Sequence, residues 1–184
     1  MAAVINPELY RSEDTVDIAR RLVGRVLARR DPEGTVTRRV ITETEAYHTA
    51  DDKACHASKG RTGRTDVLFR PGGIWYVYLC YGIHEMLNLV VGPEGFPAAV
   101  LIRGVEGAVG PGRLTRALGI NRSFNGKPVA PASGLWLEEG EVALPAQSIQ
   151  ATPRIGVDYA GKEWASKPWR FVISPSALDA ALRR

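Results

Sequence analysis

Residues 74–80, Ile-Trp-Tyr-Val-Tyr-Leu-Cys, repeat with a period of two, which suits an extended strand in which alternate side chains share a face and aromatics lie on a pleated surface. Tyr76 and Tyr78 then share a face. Tyr81-Gly82 follows, with glycine supplying a permissive dihedral, so the chain can turn back into residues 83–91 as a hairpin with Tyr81 projecting from its tip. Such a hairpin needs a sheet, and other segments supply strands. Residues 25–30 and 35–47 alternate around Asp31-Pro32-Glu33-Gly34, which fits a type I turn with Pro second and Gly fourth. This pair puts Glu43 and Glu45 on one face and Thr44 and Ala46 on the other. Residues 98–105, 134–138 and 151–157 read as further strands, and 164–173 closes the body with aromatics expected to be buried.

Helical signals are fewer. Ser12 or Asp14 can cap a helix carrying Val16, Ala19, Leu22 and Val23 at helical spacing, ended by Gly24. Pro111 opens a second, short helix over 111–118 with Gly119 past its end, and amides at this glycine-rich start suit an anion. A weak helical pattern over 175–184 reads as an appended tail. At least seven strands and two helices give an α+β fold: a single domain over 1–184, built on a curved antiparallel sheet with a protruding hairpin and a few surrounding helices.

The 184 residues suffice for a real core, and no run approaches the roughly 20 apolar residues of a membrane span. The N-terminus lacks a signal peptide's pattern. A cytoplasmic protein is expected, nucleoid-associated in a bacterium or nuclear in a eukaryote, monomeric and without membrane contact. Lys and Arg number 24 against 20 Asp and Glu, a mild excess compatible with a polyanionic partner. Cys55 and Cys80 are too few for a disulfide framework.

Chemistry concentrates in residues 41–88, which hold all three histidines and four of the six tyrosines. Glu45 is the best general-base candidate, although a strand carboxylate is more often a salt-bridge partner. Arg103, in an apolar strand, must find an anion; a structural glutamate pair is the default, and a pocket shared with Glu45 is the alternative. Glu45, His48, Cys55, His56 and Cys80 are ligand types without a recognised zinc spacing, so no metal is expected. The tyrosines suit either core packing or stacking on nucleobases. The Arg- and Gly-rich loop at 51–73 either wraps phosphate or faces water.

At ETEAY (43–47), His56, YVYLCYG (76–82), MLN (86–88), VLIR (100–103), GPGRLTRALGI (110–120), RIGV (154–157) and WASKPWRF (164–171), the chain resembles the alkyladenine DNA glycosylases, the 3-methyladenine DNA glycosylases of the mammalian type. These motifs occur in order across nearly the whole chain. The resemblance implies a monofunctional, cofactor-free hydrolase that flips damaged purines out of double-stranded DNA and cleaves their N-glycosidic bonds. Glu45 would activate the water, with Arg103 and the Ile155 carbonyl holding it. Tyr47 and His56 would wall one side of the extruded base and Tyr78 the other; Asn88 would crowd out the amino group of guanine, and Tyr81 would fill the vacated stack. Arg61, Thr62, His84, Arg113 and Gly156 match backbone-contacting positions. The chain departs from the family at Thr65, where many members carry Asn, and at Trp75. A catalytically silent sensor of distorted DNA and a metal-dependent hydrolase remain as alternatives.

Overall fold

The computed structural model describes residues 3–140, 144 and 146–182, so both ends of the expected unit, 1–2 and 183–184, lie outside the described residues. Among the described residues, nine antiparallel strands form the sheet: β1 (Val26–Arg30), β2 (Val36–Tyr47), β3 (Trp75–Cys80), β4 (His84–Val91), β5 (Ala98–Val105), β6 (Ala108–Val109), β7 (Leu135–Glu138), β8 (Ile149–Thr152) and β9 (Arg170–Ile173). Four α-helices accompany them among the described residues: α1 (Thr15–Leu22), α2 (Pro111–Ala117), α3 (Lys162–Ala165) and α4 (Pro175–Leu182). The order β3-β4-β5-β2-β1-β7 forms the main path; β6 pairs with β5, and β9 joins β2 to β8. This is the α+β fold expected from the alternating segments.

Strand β2 organises the sheet. Its first half pairs with β1, its second half with β5, and residues 43–45 also face β9. Register shifts between Ile41, Glu43 and Thr44 mark a bulge, which bends a strand and re-aims its side chains. Gly104 sits opposite Glu43, where an added Cβ would come within 3.3 Å of the Glu43 Cβ and 3.0 Å of Thr42 Oγ1. The close approach at the bulge favours glycine.

The period of two then divides every central strand between two environments. Ala46, Trp75, Val77, Leu87, Leu89, Val100 and Ile102 enter the main core beneath α1 and α2, where burying each large side chain contributes about 1.5–3 kcal/mol. Thr44 ties this layer to α1 by donating its hydroxyl to the Ala19 carbonyl at 2.7 Å. Asp14 caps α1 by accepting from the Asp17 amide at 2.9 Å. Alternate residues of the same strands, Tyr47, Tyr76, Tyr78, Asn88, Leu101 and Arg103, open onto the other side.

Three expectations need correction. The strand expected at 151–157 is β8, ending at Thr152, because Pro153 has no N–H to donate to β9. The terminal segment is integral: Leu178 of α4 is buried in the main core. Of the aromatics expected to be buried over 164–173, Phe171 is buried, whereas Trp164 and Trp169 are half-buried and contact each other edge to face, with ring centroids 6.1 Å apart.

Candidate active site

A cavity of about 510 Å³ opens on the sheet face opposite the core. It brings together the expected Tyr47, His56, Tyr78, Tyr81, Asn88, Arg103, Ile155 and Gly156, and adds Lys53, Lys59, Arg64, Tyr76 and Tyr159. Strands β2, β3, β4 and β5 supply one wall, the 53–64 loop a second, and the segment after β8 a third.

Glu45 lies behind this lining with 0% exposure. The Tyr47 hydroxyl donates to Glu45 Oε2 at 2.8 Å, and the Ile155 backbone amide donates to Oε1 at 2.8 Å. Arg103 Nε is 3.5 Å from that same Oε1. Burial raises the Glu45 pKa above its ordinary value; Arg103, the Ile155 amide and Tyr47 counteract this, and Glu43 adds to the rise. Tyr47 is itself pushed well up, by burial first and then by Glu45, so its phenol stays protonated and able to donate. The contact made by Ile155 is through its amide; its side chain is half exposed.

Arg103 is shared. Its Nε–H donates to Glu43 at 2.9 Å, and Arg170 from β9 donates to the same Glu43 oxygen at 2.5 Å. Both readings of Arg103, the structural pair and the pocket neighbour of Glu45, are thus realised at once.

Aromatic rings line the opposite side. His56 Nδ1 is 3.0 Å from the Tyr76 hydroxyl, and its ring meets Tyr78 edge to face at 4.6 Å. Tyr76 and Tyr78 have centroids 5.3 Å apart, as expected for neighbours on one strand face. His56 and Tyr78 are in mutual contact, so they are not spaced as two faces of one slot, and both line the cavity. Burial, reinforced by Arg64 and Lys59, lowers the His56 pKa to about 4, and the ring is neutral at pH 7. Asn88 is buried, with its amide nitrogen donating to the carbonyls of Tyr76 at 3.1 Å and Met86 at 3.2 Å.

Tyr81 stands at the hairpin tip with φ +50° and 92% exposure. An exposed tyrosine in the left-handed region is uncommon and marks a special turn. Of the remaining expected residues, Arg61 pairs with Asp66 at 2.9 Å, and Thr62 is bonded to Thr65. The ring of His84 lies over Gly112, where an added Cβ would come within 2.6 Å of it. Arg113 is exposed in the first turn of α2. The expected anion cradle at this turn is mostly occupied, since the Arg113 and Leu114 amides both donate to the Gly110 carbonyl and Pro111 has none.

The two departures have structural roles. Thr65 Oγ1 donates to the Gly60 carbonyl at 2.8 Å and accepts from the Thr62 amide at 2.8 Å, stapling the loop. Trp75 is fully buried, with its indole N–H on the Leu135 carbonyl at 3.0 Å. Among the described residues, no group of three or more His, Cys, Asp or Glu gathers where a metal could sit, and no helix is long and apolar enough to cross a membrane.

Reasoning from sequence missed three groups. Arg64 places its guanidinium 5.0 Å over the Tyr78 ring. Tyr159 is 70% exposed at the cavity lip, with its hydroxyl donating to the Ala54 carbonyl at 3.1 Å. Asp52 and Arg154 form a fully buried pair beneath Tyr47. Arg64 in RTGRT and Arg154 at the head of RIGV lay in segments that sequence reasoning singled out, but neither was given a role.

Comparison with known proteins points the same way as the cavity. The family model described as methylpurine-DNA glycosylase matches residues 8–109 and 106–177. The chain is 44% identical over 185 residues to a protein of Methanocella arvoryzae, covering 90% of each chain. It is 45% identical over 183 residues to one from Anaeromyxobacter dehalogenans strain 2CP-C, covering 93% of this chain and 84% of that one. A Chlamydia pneumoniae protein is 37% identical over 195 residues, with 94% and 96% covered. All three carry the provisional name 3-methyladenine DNA glycosylase.

Proposed function

The chain belongs to the methylpurine-DNA glycosylase family, and from that premise we propose that it is a monofunctional DNA glycosylase: it flips an alkylated or otherwise damaged purine out of duplex DNA and hydrolyses its N-glycosidic bond. The observation that carries this reading is the buried Glu45 carboxylate set behind an aromatic-lined cavity of about 510 Å³, with Arg103 3.5 Å away.

In this reading the extruded base enters the cavity between Tyr47 and the touching pair His56 and Tyr78, with Asn88 at its edge. Tyr81 fills the vacated stack, offsetting an unstacking cost of a few kcal/mol. Ionised Glu45 takes a proton from water as the water oxygen bonds to the sugar carbon C1′. The C1′–N bond breaks and its electron pair leaves with the purine. A cationic base such as 3-methyladenine departs neutral, whereas a neutral lesion such as hypoxanthine needs a proton on the leaving base.

Tyr47 and the Ile155 amide each occupy one acceptor position on the Glu45 oxygens. A carboxylate oxygen accepts two hydrogen bonds, so capacity for a water remains on each. The complete burial of Glu45 is the observation that favours the runner-up, a domain that binds damaged DNA without cleaving it.

Incubation with EDTA and duplex DNA carrying hypoxanthine, ethenoadenine or methylated purines, followed by assay for free base, tests the reading. Release under chelation supports it and removes the metal-dependent alternative; tight binding without release favours the silent sensor.

A further inference from the structure

Asp52 and Arg154 form a charged pair that the proposed reaction leaves unused. Arg154 Nη1 is 2.6 Å from Asp52 Oδ2 and Nη2 is 3.0 Å from Oδ1, and both side chains are fully buried. Buried ion pairs of this kind are seldom the most stable solution, because apolar residues of similar volume often do as well or better. The Arg154 Nε atom is buried without any hydrogen-bond partner, which adds to the cost. Stability alone gives little reason for an arginine here.

Its other contacts supply a reason. The Arg154 guanidinium lies 4.8 Å from the Tyr47 ring centroid and donates to the Ala46 carbonyl at 2.9 Å, fixing the end of β2 on which Tyr47 sits. It also donates to the Trp164 carbonyl at 3.2 Å, holding the segment that packs across this end of the site. The next residue along the chain is Ile155, whose amide reaches Glu45. Asp52 also accepts from the His48 and Ala54 amides, so the loop beginning at residue 48 is locked to the same guanidinium.

We propose that Arg154, held by Asp52, is a positioning residue: it sets the Tyr47 phenol and the Ile155 amide, the two hydrogen-bond donors to buried Glu45. This rests on Glu45 being the water-activating base. The charged and titratable groups facing Glu45 are Glu43 and Tyr47 from β2 and Arg103 from β5, with Arg170 of β9 reaching it through Glu43. Arg154 acts on this set through Tyr47 and through the chain at Ile155. When the two donors lose their fixed positions, burial is less opposed and the already raised Glu45 pKa rises further. The acid limb of the pH–rate profile therefore moves to higher pH, and the plateau rate falls as the carboxylate loses alignment.

The test uses Arg154→Lys, which keeps the charge but not the planar fork, and the Asp52→Asn/Arg154→Met double variant, which removes the pair together. Single-turnover base release from lesion duplex is measured across pH beside duplex affinity and thermal melting. The expected result is a folded double variant with duplex affinity retained, a plateau rate about 100-fold lower and an acid limb shifted upward, with Arg154→Lys recovering part of both losses. A folded double variant with the parent rate and an unmoved limb overturns the inference. Should the double variant fail to fold, Arg154→Lys decides: an upward shift supports positioning and an unmoved limb overturns it. Glu45→Gln is run in parallel. If that variant keeps its turnover, the assignment of the base falls; if it loses turnover while the Arg154 variants match the parent, the positioning role alone falls.

Discussion

Arg103 donates its Nε–H to Glu43 at 2.9 Å and stands 3.5 Å from Glu45, so one guanidinium holds two carboxylates of which only Glu45 adjoins the cavity-lining donors Tyr47 and Ile155. Glu43 thereby raises the Glu45 pKa twice over: its charge repels, and it takes the better share of the arginine. Glu43→Gln removes the repulsion and leaves Arg103 to Glu45. The expected outcome is an acid limb moved to lower pH in single-turnover base release, at a stability cost of about 1–3 kcal/mol for the disturbed Arg103 and Arg170 contacts. A limb moving to higher pH contradicts this electrostatic balance.

Tyr81 contributes almost nothing to the fold that solvent does not already see. Tyr81→Ala should leave the melting free energy within about 0.5 kcal/mol while weakening lesion-duplex binding by roughly 1–3 kcal/mol, the scale of one aromatic–base stack. Fluorescence anisotropy with matched lesion and undamaged duplexes checks it. An unchanged ratio of the two affinities counts against the wedge role.

Arg113 is exposed on α2, outside the cavity lining. If it touches phosphate, Arg113→Ala lowers the slope of log K against log salt by about 1 and weakens lesion and undamaged DNA alike. Selective loss of lesion affinity would place it elsewhere.

His56 has a folded pKa of about 4 against an ordinary value of 6.5. Between those values the unfolded chain binds the proton and the folded one does not, so this residue's contribution to stability falls as pH drops from about 6.5 to about 4. His56→Gln removes that linkage. Urea unfolding at pH 7 and pH 5 should show the variant gaining on the parent at the lower pH; a constant difference contradicts a neutral, half-buried ring.

The faces of the sheet were legible because a period of two needs no tertiary information. Glu45 and Ala46, or Tyr78 and Val77, were assigned to opposite sides by spacing alone, and they lie there. Resemblance supplied the candidate roles, and the fold gathers eight of those residues around one cavity. What stayed hidden depends on contacts distant in sequence. Asp52 and Arg154 are 102 positions apart, one read in a loop and the other in an expected strand, and only the fold pairs them. Leu178 likewise sits in a weak helical pattern, where one buried side chain fixes a helix that periodicity cannot anchor.

In the proposed reaction an ionised Glu45 takes the proton from the attacking water. Single-turnover release of free base by the parent protein and Glu45→Gln, on the same lesion duplex in EDTA, tests it most directly when affinity is measured alongside. The expected result is equal lesion binding with release slowed by about 10²–10⁴-fold in the variant. A variant that binds equally and releases base at a rate close to the parent's would contradict it.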